Sequence, residues 1–371
     1  MNSTGIVIVI ESLGGGGAQH VASTLANHWS ASGIAVTVVT FSPPEHDVFK
    51  LDEGVGRIVI GGAGVSAHPV AGLVANAARI AALRAAIRDS GAGTVLSFVG
   101  STNVLAIVAA MGLGKRVVIS ERNDPARQSL GRIWDVLRRL LYGRADLVIA
   151  NSKAAVATMR RYVADGKLAW LPNPLRRPDP AARPLPAGRP FFLAVGRLDR
   201  QKAYDVLLDA FAQVAAVRDD VDLVILGQGP LHAALEEQAR RLGIDGRVRF
   251  MGRVADPFPW YRAAIALAHP ARFEGMPNAV LEAMSVGLPP VVSDAQEGLR
   301  GIVHDRSSCL KVSVGSAASL AAAMNELLQD HSLRDELSSG ARKSIEANFT
   351  GAVEKWTEII CRERMGTRAI E

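Results

Sequence analysis

Two glutamates and a short basic segment have the residue types and spacing that suit chemistry on a phosphorylated ligand. Glu274 and Glu282 are separated by seven residues in the segment FEGMPNAVLE. Arg197 and Lys202 belong to the segment VGRLDRQKAYD, which follows a short apolar run. Cations beside a helix N-terminus form a good diphosphate clamp, so this segment predicts one. Taken alone, it is equally typical of a solvated basic loop.

A glycine run at Gly14–Gly17 stands directly after the first apolar run, Ile6–Ile10. Such a turn lets backbone N–H groups approach an anion, and the dipole of a following helix favours negative charge. Ala18, Gln19 and His20 follow the run, so the dinucleotide fingerprint and the P-loop are both absent. We expect a ligand-binding loop, with a plain tight turn as the alternative.

The two glutamates stand in different contexts. Glu274 is expected in a loop after a strand that ends near His269, and Pro277 is expected to start a helix. Glu282 falls more than a turn into that helix, within the apolar segment AVLEAMSVG. A carboxylate in apolar surroundings requires a partner, which favours a functional role. The pair predicts contacts with two parts of one extended ligand.

The elements that must position these residues alternate between short apolar runs and amphipathic stretches, which predicts βαβ units and parallel sheets. The predicted strands of the first half are Ile6–Ile10, Ala35–Thr40, Thr94–Ser97, Arg116–Ser120, Leu147–Ala150 and Leu168–Leu171. Those of the second half are Phe191–Val195, Leu223–Leu226, Val248–Phe250, Ile265–Ala268 and Pro290–Ser293. Helices are expected at Ala18–Ser30, Val70–Arg88, Ser152–Val163 and Ala352–Arg364, and Pro230, Pro257 and Pro277 are expected in first helical turns.

Seven prolines between residues 172 and 190 interrupt the alternation and predict a joint between two Rossmann-like domains. We expect a first domain at 1–173, a linker at 174–190 and a second domain at 191–350. The remaining helix, 351–371, is a candidate for crossing back to the first domain.

The composition agrees with a globular α/β protein. Of 371 residues, 49% are apolar, 21% charged and only 5% aromatic, which excludes a disordered or fibrous chain. The N-terminus has no basic region ahead of a short apolar run, and there are two cysteines, so we expect a reduced, cytoplasmic setting without a signal peptide.

Positive charge is concentrated in the first half. Residues 115–167 contain 12 basic and 5 acidic residues, whereas residues 176–371 contain 25 of each. This predicts an anionic partner, with a solvated helix surface as the alternative. No nucleic-acid motif is present. If the segment 131–144 is helical, it has an apolar stripe beside arginines 132, 138 and 139, which is typical of a helix on anionic lipid but also of one packed on a sheet.

Together these segments resemble the retaining glycosyltransferases of family 4, which have the GT-B fold of two Rossmann-like domains with parallel sheets facing a central cleft. The resemblance covers nearly the whole chain. It rests on the spaced glutamates, VGRLDRQKAYD, GGGGAQH, NSK at 151–153, LPNP at 171–174 and LEAMSVGLPPVVSD. ISERND, at 119–124, is most similar to members that build bacterial surface polysaccharides with UDP-sugars. Ala203 stands where the family usually has glycine, and Glu121 and Arg122 stand near its usual histidine.

The resemblance implies that 1–173 is the acceptor-side domain and 191–350 the nucleotide-sugar-binding domain. It also implies a role for each matching residue. Glu274 would hold the donor sugar, Glu282 the ribose, and Arg197 and Lys202 the departing diphosphate. The other donor-binding residues it implies are Gly16, Gly17, Gly252, Arg253, Phe273, Gly275, Met276, Pro277 and Asn278. On the acceptor side it implies Glu121, Arg122 and Asn123.

No metal and no other cofactor is expected, because the histidines lack ligand spacing and Asp220-Val221-Asp222 is predicted at the wrong end of a strand to serve as a metal motif. The expected function is transfer of a hexose or N-acetylhexosamine from a nucleotide sugar to a glycan, linked to polyprenyl diphosphate, at the inner membrane face. The alternatives are a soluble acceptor, such as a sugar phosphate, and a non-catalytic nucleotide-sugar sensor.

Overall fold

The computed structural model describes residues 5–62, 69–126, 128–176, 178, 183–186 and 188–361. It divides into two compact units. Unit 1 comprises Met1–Pro174 with Gly351–Glu371, and unit 2 comprises Leu175–Thr350. Arg362–Arg364 of the last predicted helix and parts of the proline-rich segment lie outside the described residues.

Unit 1 contains a seven-stranded sheet in which every pairing is parallel. The strand order is β3-β2-β1-β4-β5-β6-β7. The strands are β1 Ile6–Ile10, β2 Val36–Thr40, β3 Gly56–Val59, β4 Thr94–Phe98, β5 Arg116–Glu121, β6 Leu147–Ala150 and β7 Leu168–Trp170.

Helices cover both faces of this sheet, and a separate apolar cluster fills each side. The inner strands are mostly apolar because both of their faces are buried. The helices are α1 Gly17–Ala31, α2 Pro69–Asp89, α3 Gly100–Ala110, α4 Arg132–Leu141, α5 Lys153–Met159 and, from the chain end, α12 Ala352–Cys361.

Unit 2 repeats the plan with six parallel strands in the order β10-β9-β8-β11-β12-β13. They are β8 Phe191–Val195, β9 Asp222–Leu226, β10 Val248–Gly252, β11 Leu267–His269, β12 Pro290–Ser293 and β13 Leu310–Val312. The helices are α6 Tyr204–Ala215, α7 His232–Arg241, α8 Phe258–Ala263, α9 Asn278–Ser285, α10 Ala317–Gln329 and α11 His331–Phe349.

The predicted parallel α/β fold with two Rossmann-like domains is confirmed. The sequence missed β3 and β13, the edge strands at one side of each sheet. Arg57 and Lys311 interrupt these short segments, so neither shows a continuous apolar run. The proline positions were also wrong. Pro257 and Pro277 occupy helix caps and Pro230 precedes the cap of α7. At or before the cap, proline's missing N–H still leaves the helix ladder intact.

The last described helix, α12, packs within unit 1. Trp356 is fully buried, stacks on Phe98 and donates its indole N–H to the Pro172 carbonyl at 2.8 Å. Arg116 donates to the carbonyls of Ile359 and Ile360 at the end of the helix. No helix of the described ranges combines the length and apolar character needed to cross a bilayer.

We expect Trp356→Ala to destabilise unit 1 by roughly 3–5 kcal/mol, because it removes a large buried side chain and leaves the Pro172 carbonyl without this donor. Thermal unfolding followed by circular dichroism will measure the change. Lys355→Ala, at an exposed position of the same helix, is the matched control. An equal melting temperature for the two variants would show that α12 does not stabilise unit 1.

Candidate functional site

The strand order reverses between β8 and β11 in unit 2 and between β1 and β4 in unit 1. At such a point the connections after neighbouring strands run to opposite faces, which leaves a crevice at the carboxyl edge. In unit 2, the loop with Arg197 and Lys202 follows β8, and the loop with Glu274 follows β11. The sheet topology therefore brings together the two segments that the sequence singled out.

Direct bonds tie these two loops to each other. The Gln201 side chain donates to the Phe273 carbonyl at 3.0 Å, and the Arg272 N–H donates to the Gln201 carbonyl at 2.8 Å. Arg272 also holds the Asp205 carboxylate with both terminal nitrogens, at 3.0 and 2.6 Å. This bidentate pair fixes the position of each loop relative to the other.

The Lys202 ammonium forms an ion pair with the Glu274 carboxylate at the centre of this arrangement. His269, the last residue of β11, places Nε2 3.7 Å from the same carboxylate oxygen. The buried Tyr204 hydroxyl and the Lys202 side chain both lie against Gly196, where a Cβ would come within 2.9 Å of the hydroxyl oxygen and 3.0 Å of Lys202 Cε. The cluster therefore combines a carboxylate, a cation, an imidazole and a phenol.

His269 is a neutral member of the cluster. Burial, with the nearby Lys202 ammonium, lowers the pKa of His269 well below its ordinary value. Among the described residues, the His269 Nε2 atom and the Tyr204 hydroxyl have no hydrogen-bond partner. Buried polar atoms require partners, so these two atoms suit the polar groups of a ligand.

Ala203, directly after Lys202, has left-handed backbone angles of φ 56° and ψ 39° and caps α6. This conformation is strained for any residue with a Cβ and favours glycine. The turn explains why glycine suits this position. The strained turn follows Lys202, which lies beside Glu274 and two residues before the start of α6.

Glu282 lies on α9 and is almost fully buried. It accepts a hydrogen bond from the Tyr261 hydroxyl at 3.1 Å. Burial raises the pKa of Glu282 from 4.5 to about 7, although Tyr261 and the charge of Arg176 oppose the shift. The two glutamates thus differ in chemistry, because one is paired with a cation and the other with a phenol.

The remaining predicted residues of unit 2 lie in loops at the same edge of the sheet. Arg197 is exposed, with Nε 3.8 Å from Asp199, and Arg253 is exposed after β10. Gly252 ends β10 in the left-handed region, at φ 66°, beside a break in strand register. Four residues lead from Glu274 into α9, whose positive dipole end thus lies at this edge; they are Gly275, Met276, Pro277 and Asn278.

In unit 1, the glycine run occupies the corresponding position after β1. Gly16 caps α1 with φ 153°, and Gly17 is the first residue of that helix. After β4, Val99 has a positive φ of 74°, which is unusual for a β-branched residue. Strained backbone of this kind is commonly found at ligand sites.

Glu121 ends β5 in a buried polar network of unit 1. Its carboxylate accepts from the Tyr142 hydroxyl at 2.7 Å and from the Arg122 N–H at 3.0 Å, and it lies 3.9 Å from Arg138. Burial raises the pKa of Glu121 above its ordinary value. Because its oxygens face protein groups, Glu121 positions the loop that follows β5.

Arg122 is also buried, and burial lowers its pKa to about 10. Its carbonyl accepts from the Asn151 side chain at 2.7 Å, and its guanidinium contacts Asn173. The sequence segments NSK and LPNP thus supply the residues that hold Arg122. Asn123 is half-buried and lies next along the same loop.

Comparison with known proteins agrees with this geometry. Residues 16–174 match the model of a glycosyl transferase 4-like domain, and residues 189–330 match that of glycosyl transferases group 1. The chain belongs to the family 4-like glycosyltransferases.

One relative of this glycosyltransferase is 27% identical over 360 residues, covering 96% of this chain and 98% of that protein. It is the GalNAc-alpha-(1->4)-GalNAc-alpha-(1->3)-diNAcBac-PP-undecaprenol alpha-1,4-N-acetyl-D-galactosaminyltransferase of Campylobacter jejuni. The structure of Anabaena HepE with UDP has a TM-score of 0.77 at 19% identity, over 96% and 99% of the two chains. WaaG, a glycosyltransferase of lipopolysaccharide biosynthesis, has 0.75 at 19% identity, over 96% and 99%. The fold of the glycosyltransferase is thus GT-B.

Several site residues of the glycosyltransferase escaped the sequence reasoning. His269 carried a signal, because a polar residue at the end of an apolar strand commonly faces a ligand. Tyr204 and Tyr261 had none, since they lie on α6 and α8, far from the glutamates along the chain. Gly298 was missed too: a Cβ there would lie 1.4 Å from the Gly275 carbonyl oxygen, so only glycine permits this packing behind the Glu274 loop.

The raised pKa of Glu282 predicts how pH affects the stability of the glycosyltransferase. The folded state prefers the protonated carboxyl of Glu282. The contribution of this group to stability is therefore fully present below pH 4.5 and is lost as pH rises through about 7. Glu282→Gln keeps the shape without the charge. We expect its melting temperature to exceed that of the wild type at about pH 8 and to approach it at about pH 5.

The matched control for this measurement is Glu336→Gln, which changes an exposed carboxylate of the same unit. Its melting temperature should follow the wild type across the range. A Glu282→Gln curve that runs parallel to the wild type from acid to alkaline pH would contradict the prediction.

Proposed function

We propose that this glycosyltransferase moves a hexose or N-acetylhexosamine, with retention of configuration, from a UDP-sugar to a glycan linked to polyprenyl diphosphate in polysaccharide biosynthesis. The lipid-linked acceptor is supported by the Campylobacter relative, which is named for its action on a PP-undecaprenol glycan. The nucleotide is supported by HepE, whose structure contains UDP. The segment ISERND, similar to members that build surface polysaccharides, agrees with both.

The observation that carries this proposal is the arrangement of Lys202, Glu274 and Glu282 around the carboxyl edge of the sheet in unit 2. In our mechanism, Glu274 accepts hydrogen bonds from hydroxyls of the donor sugar. Glu282, more than a turn into α9, accepts those of the ribose. Lys202 and the exposed Arg197 receive the diphosphate between them.

The enzyme must chiefly stabilise the charges that develop in the transition state. When the bond from the anomeric carbon to the diphosphate oxygen breaks, negative charge grows on the diphosphate and positive charge on the sugar carbon. Fixed cations and a helix dipole stabilise the former, and the Glu274 carboxylate stabilises the latter. Since Lys202 and Arg197 supply the countercharge, we propose that the reaction needs no resident metal or other cofactor.

Glu274→Gln is expected to lower turnover by roughly a hundredfold or more, because it keeps the shape of the side chain and removes its charge beside the reacting carbon. Binding of UDP should change much less. Turnover is measured as UDP released from candidate UDP-sugars, and UDP affinity by calorimetry.

Glu336→Gln serves as the control with an unrelated carboxylate. Near-normal turnover in Glu274→Gln would remove Glu274 from the reacting centre. Wild-type protein that binds UDP and UDP-sugars tightly but releases no UDP, with or without an acceptor, would favour the nucleotide-sugar sensor.

We also propose that helix α4 of unit 1 places the protein on an anionic membrane at the cytoplasmic face. Trp134, Leu137 and Leu141 pack against the unit 1 core. Three other apolar side chains remain exposed, Ile133 by 73%, Val136 by 53% and Leu140 by 66%. Arg132 and Arg139 are exposed beside them, an arrangement typical of an interfacial helix on anionic lipid.

The expectation for Arg138 was wrong. It does not lie on the outer surface with the other arginines but is buried, paired with Asp135 at 2.7 Å and close to Glu121. Burial of the Glu121 carboxylate requires a nearby cation, and Arg138 supplies it. Arg132 and Arg139 are therefore the residues that test membrane binding.

The double variant Arg132→Glu with Arg139→Glu should bind phosphatidylglycerol vesicles more than tenfold more weakly than wild type, since each basic residue near the surface contributes on the order of 1 kcal/mol. Vesicle sedimentation at low and high salt measures this. The exposed Arg161→Glu is the control, and UDP release should be intact in both variants. Wild-type protein that does not sediment at low salt would favour a soluble acceptor.

A further inference from the structure

A second concave site lies at the opposite edge of the sheet in unit 2. A cavity of about 1160 Å³ opens where β8 and β12 begin and is lined there by Phe191 and Pro289. The residues proposed to bind the donor follow the carboxyl ends of the same strands. A five-residue strand such as β8 spans roughly 16 Å, so this cavity is separate from the candidate donor site.

The wall of the cavity is strongly basic. Its side chains come from the proline-rich segment, β10, α8 and α11, so the charge does not belong to one solvated helix face. One carboxylate, Asp335, is present among the lining residues. The lining arginines are Arg189, Arg249, Arg262, Arg334 and Arg342.

The positive charge of this wall is only partly balanced. Arg189 and Arg249 lie 3.7 and 3.9 Å from one carboxylate, Asp222, which they share. In the part of the chain that the structure describes, neither Arg262 nor Arg342 forms an ion pair. Arg342 lies against Gly287, where a Cβ would come within 2.3 Å of its Nε atom. A glycine thus permits the guanidinium to approach the backbone at the end of α9.

This arrangement fits a ligand with phosphate groups. Guanidinium groups present paired N–H donors that match phosphate oxygens, and several of them around a concave surface bind more than one phosphate. The cavity is large enough for an organic molecule. Trp260 and Phe191, in edge-to-face contact, provide an apolar surface beside the arginines.

We propose that this cavity is a second ligand site, distinct from the donor site, and that it binds a phosphate ester. The ester belongs either to a phosphorylated small molecule or to a phospholipid headgroup. Two residues of the cavity wall form hydrogen bonds with Glu282, the residue proposed to bind the ribose. Tyr261 lines the cavity and donates to Glu282, and Ser285, also in the lining, donates to the Glu282 carbonyl at 2.6 Å.

The test uses the full-length protein and two probes. Inorganic tripolyphosphate, titrated by calorimetry, reports a site for soluble phosphates. Vesicles of phosphatidylcholine with phosphatidic acid report a headgroup site, and they are used with the Arg132→Glu and Arg139→Glu substitutions in place so that α4 does not contribute. Lys202→Ala is measured in parallel to remove phosphate binding at the donor site.

We expect the double variant Arg262→Glu with Arg342→Glu to bind one of the two probes roughly tenfold or more weakly than the wild type. Lys202→Ala should leave binding of that probe intact. Loss of tripolyphosphate binding would identify a soluble ligand, and loss of vesicle binding alone a lipid headgroup. Arg241→Glu, exposed in the last turn of α7, is the matched control. Both substituted arginines are exposed, and Arg262→Gln with Arg342→Gln repeats the test without charge reversal.

The proposal is overturned if the double variants bind both probes as the wild type does. It is also overturned if Lys202→Ala alone abolishes all tripolyphosphate binding and the vesicles do not bind. Neither result bears on the glycosyl transfer reaction, which is measured separately through Glu274→Gln.

Discussion

All strand pairs within each sheet are parallel, and this constraint determines where chemistry can occur in either unit. Each connection must return across a face of the sheet, so the loops that follow the strands meet at one edge. Where the strand order reverses, helices leave on opposite faces and the edge stays open. The glycine run of unit 1 and the Lys202 and Glu274 loops of unit 2 all occupy such points.

The chemistry of the unit 2 edge arises from environments rather than from residue types. Glu274 faces an ammonium group and a neutral imidazole, whereas Glu282 lies in an apolar helix face with a phenol as its donor. The same functional group is therefore paired with a cation at one position, whereas burial raises its pKa to about 7 at the other. Such a separation of roles is what an extended ligand with a reacting end and a recognition end requires.

Some of the basic residues that give unit 1 its excess positive charge are buried inside the unit. Arg138 and Arg122 are buried around Glu121, Tyr142 and Asn173, which rigidly supports the loop after β5. The outer face of α4 keeps exposed arginines and apolar side chains together. A count of charges along the chain includes both groups of arginines, although only the exposed group meets solvent.

The sequence alone determined the fold class, most strand positions and the two segments that we propose to bind the donor, because buried parallel strands are mostly apolar and loops after them commonly carry functional residues. It also singled out the two glutamates, through their spacing together with the order of the other matching segments. Tertiary structure alone decided which partners those residues have. Tyr204, Tyr261 and His269 come from separate elements, and the burial of Arg138 depends on Glu121, seventeen residues earlier. Local periodicity reports which face of a helix is apolar, but only packing decides whether a charged side chain beside that face meets water or a buried carboxylate.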